Sequence, residues 1–454
     1  MDLLSLLRQP EGKALEFKRD LSSPDGALRS AVAFANTAGG VLLIGVEDRT
    51  RRVVGVPDPL ETEERLANLI SDSITPVLVA EIEVLPWRRT HVVAVRVHPS
   101  GSRPHYLRSL GPEAGVFVRV GSTNRRADTA LIGELRRYVR NESFDEQPMP
   151  DLNSEAIDFR VASESFAPVR ALRRGDLMTL HITTRYQERV VPTVGGVLLF
   201  GKDRERHFPD AWIQVGRFRG ADRRRILDSA EVRGHLIPGI EEAIRFVQRN
   251  TAREAVIGEV RRAERWTFPP VAVREAIVNA VVHADYSQRG APIRLSIFDD
   301  RLEVENPGLL PFGLTIDDIR KGISKLRNRV IGRVFHELGL IEQWGSGIQR
   351  MTAACEEAGL AQPQLEEIGT HFRVTLRAAR HGPAALDDLE RRIVEALRGK
   401  DGLATQEIAR EVGRTTRATR SRLASLVGRG LLVEIGSGPH DPRRRYFLVD
   451  GEEP

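Results

Sequence analysis

Cysteine is almost absent from these 454 residues, and Cys355 stands alone. A lone thiol closes no internal disulfide and builds no thiolate metal cage, so packing is its expected role. Lysine is scarce too: only six of the 68 basic residues are lysines, and arginine carries the net charge of +5. A balance of that size permits nucleic-acid binding without demonstrating it, so local clustering must decide. Long apolar runs are also missing. The longest uncharged stretch, AVAFANTAGGVLLIGV over 31–46, is broken by Asn36, Thr37 and a glycine pair, which a bilayer span would not choose, so no membrane segment is expected. The opening MDLLSLLRQPEGK lacks the basic start, long apolar stretch and small-residue cleavage site of an export signal. A cytoplasmic location is the expectation.

What is present is globular. Charged residues at 29% and hydrophobic residues at 41% are ordinary, and the length asks for about three cores rather than one. The pattern predicts a mixed α/β (α+β) multidomain chain. Residues 1–140 show an extended segment at LEFK (15–18), a helix over roughly 25–37 and a buried strand at VLLIGVED (41–48). A strand at RRVVGV (51–56), a helix at 61–74, a hairpin from EIEVLPW and HVVAVRV, a strand at 115–122 and a helix from Thr129 to Val139 follow. The polar NESFDEQPMP places a linker at 141–153. A second α/β region covers 154–378, with strands expected near VPTVGGVLLFG, AWIQVGRF, APIRLSIFDD and RLEVENPG and helices near 236–254 and 272–285. ARHGPAALDD marks another linker at 379–387, and 388–454 is a compact helix, helix, helix, two-strand pattern.

GGVLLFGKD (195–203) meets most of the spacing of a phosphate-binding P-loop through Gly196, Gly201 and Lys202. Val197 to Phe200 read as a strand rather than a flexible loop, and Asp203 stands where a magnesium-binding hydroxyl belongs. The phosphate reading is therefore declined.

REAIVNAVVHADY (274–286) is apolar on every side of a helix, yet keeps Glu275, Asn279 and His283 four residues apart in one polar stripe. Such a stripe is costly unless it faces a cavity, a metal, a ligand or solvent. Downstream come Asn306, Pro307 and Gly308 at the end of two strands, then EQWGSGIQRM with Gly345 and Gly347 opening a further helix. A carboxylate, an amide four residues on and two glycine-bearing turns resemble the ATP site of the gyrase, chaperone, histidine-kinase and mismatch-repair (GHKL) superfamily, an α/β sandwich. More closely, the region resembles the version found in a family of bacterial and archaeal transcriptional regulators. The resemblance covers about residues 265–378 and implies ATP and Mg²⁺ as cofactors. It implies Asn279 as the Mg²⁺ ligand and Glu275 as the residue that orients or deprotonates water in a weak ATPase. Gly308 would admit the adenine, Gly345 and Gly347 would present amides to the phosphates, and a lid would bring Lys325, Arg327 and Asn328 to them. The superfamily reads the adenine amino group with aspartate; here stands Asn306, whose amide oxygen accepts the same hydrogen bond without charge.

EGKALEFKRD (11–20), FANTAGGVLLIGVED (34–48) and VRVGSTNRRAD (118–128) together resemble the Schlafen-type AlbA-like domain. The resemblance implies a nucleic-acid-binding module and, in some members, metal-dependent RNA cleavage by carboxylates. Glu11 and Glu16 fill its E-x-x-x-x-E pattern, with Asp48, or Glu47 beside it, as the third. Any half-exposed edge strand would equally alternate Glu16 and Lys18 with Leu15 and Phe17. Arg119, Arg125 and Arg126 are candidate phosphate contacts under either reading.

The last segment reads as a winged helix-turn-helix. Leu389, Ile393 and Leu397 bury helix one, Thr405 caps helix two, and Gly413 marks the turn. Arg414, Arg417 and Arg420 fall three apart on helix three, where a major groove would meet them, and Arg443, Arg444 and Arg445 sit in the wing near flanking phosphates. A winged-helix protein-interaction module is the alternative. The whole predicts a cytoplasmic DNA-binding transcriptional regulator whose conformation ATP controls, with an RNA-cutting Schlafen-like nuclease as the other reading. A homodimer suits paired winged helices. With no P-loop and no paired helicase core, strand separation is not expected.

Overall fold

A computed structural model of the chain describes residues 1–48, 50–251, 253–257, 262–342, 345–378, 388–398, 400, 402–428, 431–435 and 444–448. They gather into two compact units, Met1–Ala378 and Ala379–Pro454.

The first unit begins with β1 (Leu15–Lys18), which runs parallel to β2 (Gly40–Ile44). β3 (Glu81–Trp87) and β4 (Thr90–Val97) complete an otherwise antiparallel sheet of order β1-β2-β4-β3. The strand period of two sends Leu42 and Ile44 to one face and Leu43 to the other. Leu42 and Ile44 pack with Leu28 and Val32 of α1 (Pro24–Asn36) and Leu66 and Ile70 of α2 (Pro59–Ser73). Leu43 packs with Phe17, Val92 and Leu3 on the opposite face. RRVVGV is not a strand: only Val53 bridges to Val46, and the amides of Val54 and Gly55 both donate to Gly45 O. Gly55 has φ +78, and a Cβ there would lie 1.8 Å from Thr90 Oγ1, so the chain turns where valine propensity suggests extension. A hairpin of β5 (Phe117–Val120) and β6 (Thr123–Arg126) then leads into α3 (Thr129–Val139), capped by Asp128 through the Leu131 amide.

VGGVLLF forms a helix, α4 (Val194–Phe200), rather than the expected strand. The Thr193 hydroxyl accepts the Gly196 amide at 3.0 Å, and all seven residues are buried. A short segment apolar on every side fits a buried helix and a buried strand equally, and the cap decides. The declined P-loop is thus packing helix.

Around it lies a six-stranded sheet of β7 (Ile213–Phe218), β8 (Ile226–Val232), β9 (Ile293–Ile297), β10 (Arg301–Pro307), β11 (Gln364–Ile368) and β12 (His371–Arg377). Its order is β8-β7-β9-β10-β12-β11, and only β7 and β9 are parallel. Leu302 and Val304 of β10 join a core with Phe246 of α5 (Leu236–Asn250), Ile277 and Val281 of α6 (Pro270–His283), Phe335 of α7 (Arg329–Glu337), and Met351 and Cys355 of α8 (Gly347–Glu357). Cys355 is buried packing. The alternate β10 residues, Glu303 and Glu305, point the other way and are covered by Arg223, Arg301 and Arg373. The 141–153 stretch, expected as a linker, is packed against this half. Buried Asp145 accepts the amides of Arg329 at 2.9 Å, Val330 at 2.7 Å and Ile331 at 2.9 Å, so it caps α7.

The second unit contains α9 (Asp388–Leu397), β13 (Leu403–Ala404), α10 (Thr405–Glu411), α11 (Thr416–Gly428), β14 (Leu432–Ile435) and β15 (Arg445–Leu448). The strands form an antiparallel sheet of order β13-β15-β14. Ile393, Leu397, Ile408, Val412, Leu423 and Leu426 build its core. Thr405 begins α10 rather than capping it; the Glu407 carboxylate accepts the Ala404 amide at 2.7 Å instead. Among the described residues no helix is long and apolar enough to cross a membrane.

Candidate functional site

The polar stripe of α6 meets the start of α8. Glu275 is buried, and its Oε1 accepts from Arg350 at 3.0 Å and from Arg274 at 3.3 Å. A Cβ on Gly347 would lie 2.8 Å from Glu275 Oε2 and 3.3 Å from Asn279 Nδ2, so glycine is what lets the two helices approach there. Glu275, Asn279, His283, Asn306, Lys325, Gly345 and Gly347 all line one cavity of about 120 Å³. Its apolar wall includes Leu310, Leu314 and Phe372. The Asn306 amide nitrogen donates to Pro307 O at 3.0 Å, which leaves its oxygen as the acceptor for a ligand. His283 carries a buried Nδ1 without a hydrogen-bond partner among the described residues. Burial, then the Arg327 charge, pushes its imidazole down to about 4, so it is neutral at physiological pH.

The other expected contacts already have neighbours within the protein. Gly308 (φ +103) does not line the cavity; it lies against Asp285 and the Arg327 guanidinium. Arg327 is spent on Glu134 of α3 and on Leu309 O. Asn328 is no phosphate ligand in this arrangement: its Nδ2 donates to Val282 O and Ala284 O, both at 2.8 Å, closing the end of α6. Gly345 (φ +68) faces Gly322 O and Ser324. Gln343 and Trp344, in the same glycine motif, lie outside the described residues.

The segment over the cavity is docked onto the N-terminal half. Leu309 and Phe312 enter a cluster with Val118, Leu131 and Leu135. Lys325 Nζ meets the Tyr138 hydroxyl at 3.1 Å, and Phe312 packs edge-on against the Tyr138 ring. Lys13 pairs with Glu367 at 2.5 Å, and the same Glu367 oxygen accepts the Leu310 amide at 2.8 Å. Sequence reasoning missed Arg350, although it sits one turn past Gly347 within the quoted motif. It had no signal for Lys13 and Glu367, which are far apart in the chain.

In the N-terminal half Glu11, Glu16 and Asp48 converge only in part. Glu11 hydrogen-bonds Asp48 and accepts the Phe17 amide at 2.7 Å. Burial, the shared hydrogen bond and the two neighbouring carboxylates hold Glu11 up at about 7. Glu16 is neutralised by Lys18 and by Arg119, the latter at 2.5 Å. Arg119 is not a phosphate contact, since it is fully buried and bonds Gly12, Leu15, Glu16 and Asn124. Glu47 turns instead to Arg19, Thr50 and Arg52. Arg125 and Arg126 are exposed. Among the described residues no three of His, Cys, Asp and Glu are grouped as a metal would need.

On the second unit, Arg414, Arg417 and Arg420 are exposed and form no ion pair among the described residues, but only Arg417 and Arg420 lie on α11: Arg414 sits in the turn before it, because the helix begins at Thr416. Arg444 pairs with Glu434 at 2.9 Å, and Arg445 donates to Gly402 O at 3.0 Å. Arg443 lies outside the described residues.

Residues 11–128 match the sequence family described as "Schlafen, AlbA_2", and residues 290–376 match "Putative ATP-dependent DNA helicase recG C-terminal". The second match begins after the helix that carries Glu275 and Asn279. Among solved structures, the DIP2311 protein from Corynebacterium diphtheriae is 21% identical over 99% of this chain and 96% of its own, with a TM-score of 0.44. The N-terminal domain of a helicase RecG-related protein from Nitrosomonas europaea is 26% identical over 27% of this chain and 91% of its own, with a TM-score of 0.23. No curated protein matches the chain.

Proposed function

We propose that this chain, which carries a Schlafen AlbA-type domain and an ATPase-type domain, is a DNA-binding transcriptional regulator whose conformation is set by ATP and Mg²⁺. The AlbA-type module spans 1–140. The central region spans 154–378 with its nucleotide site in about 265–378, and a winged helix-turn-helix spans 388–454. The observation that carries the nucleotide half is the meeting of Glu275, Asn279 and Gly347 across two helices in one cavity. Asn279 would hold Mg²⁺ through its amide oxygen, which suits a hard cation. Gly345 and Gly347 would turn amides to the phosphates at the start of α8, and Asn306 would accept from the adenine. Mg²⁺ supplies charge neutralisation of the phosphates when bound. Glu275 is held by two arginines, an arrangement that positions its carboxylate.

The cavity at about 120 Å³ is smaller than the roughly 300–1,000 Å³ of small-molecule sites. Entry of a nucleotide therefore requires the 309–326 segment to lift, and that segment is docked on the N-terminal half. Nucleotide binding and the seating of the N-terminal module are in this reading one event.

For DNA, the support is exposed Arg417 and Arg420 on α11 and exposed Arg414 in the turn before it, with Arg444 and Arg445 at β15. Fluorescence anisotropy of the full-length protein on its own promoter DNA, over a salt series with and without ATP and Mg²⁺, tests it. Arg417→Ala is expected to weaken binding and flatten the salt slope by about one. Salt-insensitive binding, or none, overturns it. The RNA-cleavage reading has less behind it, because Glu16 is paired with Lys18 and Arg119 and burial raises the Glu11 carboxyl to about 7. Mn²⁺-dependent cleavage of structured RNA abolished by Glu11→Ala would restore it.

A further inference from the structure

A second cleft, of about 820 Å³, lies between α3 of the N-terminal half and α7. It shares Pro311, Ser324, Lys325, Leu326, Ile341 and Glu342 with the smaller cavity but contains neither Glu275, Asn279 nor Gly347. Four of the ten buried side-chain atoms without a hydrogen-bond partner among the described residues belong to its lining: Glu134 Oε2, Arg327 Nε, Asn328 Oδ1 and Arg333 Nη1. Asn328 is 1% exposed. Buried polar atoms are nearly always partnered, so such a concentration marks a place that something else completes.

The charges there are lopsided. Three lining carboxylates are already committed: Glu134 to Arg327, Asp285 to Ser287 and Gln288, and Glu342 to Arg350 and Ser346. Glu142 is exposed. Arg137, Lys325 and Arg333 form no ion pair among the described residues; Arg137 stacks on Phe144, and Lys325 meets the Tyr138 hydroxyl. Cations alone would take any small anion. The orphaned oxygens of Asn328 and Glu134 additionally ask for a ligand with hydrogen-bond donors of its own, and the volume lies within the roughly 300–1,000 Å³ of small-molecule sites.

We propose that this cleft binds a nucleoside phosphate, with its phosphate on Arg137, Lys325 and Arg333 and a hydroxyl or amino group on Asn328. Burial pushes the Glu134 carboxyl up while the paired Arg327 charge pulls it down. The site is distinct from the magnesium-dependent one, because here side chains alone neutralise the phosphate.

The test is calorimetric titration of ADP, pyrophosphate and adenosine, without Mg²⁺, into full-length wild type, Arg333→Ala, Arg137→Ala and Asn279→Ala, each checked by thermal melting. ADP is expected to bind wild type and Asn279→Ala alike, and about tenfold more weakly to both arginine variants. Adenosine and pyrophosphate, each lacking half of the recognised groups, are expected to bind more weakly than ADP. Absence of ADP binding to wild type overturns the proposal, as does binding that survives in both arginine variants. Binding of a single-stranded oligonucleotide in place of ADP, at the same arginines, also overturns it. Asn279 lines only the smaller cavity, so Asn279→Ala probes the magnesium-dependent site separately.

Discussion

Gly347 is the residue on which the proposed nucleotide cavity turns. Its missing Cβ is the space that Glu275 Oε2 and Asn279 Nδ2 approach. Gly347→Ala is expected to leave a folded protein destabilised by about 1–3 kcal/mol through overpacking, with magnesium-dependent ATP binding weakened more than stability. Denaturation and titration of the same preparation check it; unchanged ATP affinity would show that the contact is packing alone. Glu11 makes a pH prediction. Its folded pKa of about 7 stands above the ordinary 4.5, so the folded chain holds a proton that the unfolded chain releases between those values. The Glu11 contribution to stability therefore falls as pH rises from about 4.5 to 7, and Glu11→Gln should flatten that part of a melting-temperature profile. The stripe of Glu275, Asn279 and His283 was legible because a helix period of 3.6 makes every fourth residue a neighbour. Its partner Arg350 and the real duty of Asn328 as the end of α6 were not, since both depend on which helix arrives from elsewhere.

At the scale of elements, local chemistry was readable wherever one face was buried. The alternation in β2 and the caps around α3 follow from their own residues. VGGVLLF was not, because an all-apolar run carries no period, and the Thr193 cap outside it settles the matter. RRVVGV failed for the opposite reason: its valines favour extension, while Gly55 and Thr90 leave room only for a turn. The 141–153 stretch has linker composition, yet Asp145 satisfies three amides at the start of α7. Asp145→Ala is expected to cost about 2 kcal/mol in urea denaturation, since a cap is lost and buried amides are stranded. A change within a few tenths would show that this contact with α7 is dispensable.

Across the whole first unit, the loop that covers the proposed nucleotide cavity is held from outside by Phe312, Lys325 and Arg327 against α3, and by the Lys13 to Glu367 pair. Opening the cavity must loosen that clasp. Phe312→Ala is therefore expected to lower stability by about 3 kcal/mol while tightening magnesium-dependent ATP binding, because part of the cost of opening has been removed in advance. Lower stability with weaker binding would mean that the loop is scaffold and not lid. None of this clasp could be read from the sequence, where its partners stand far apart in the chain. The most direct measurement is an ATP titration of wild type and Asn279→Ala, each with and without Mg²⁺. The account predicts a magnesium-dependent class of binding in wild type that Asn279→Ala loses. Identical isotherms for the two proteins in Mg²⁺ would contradict it.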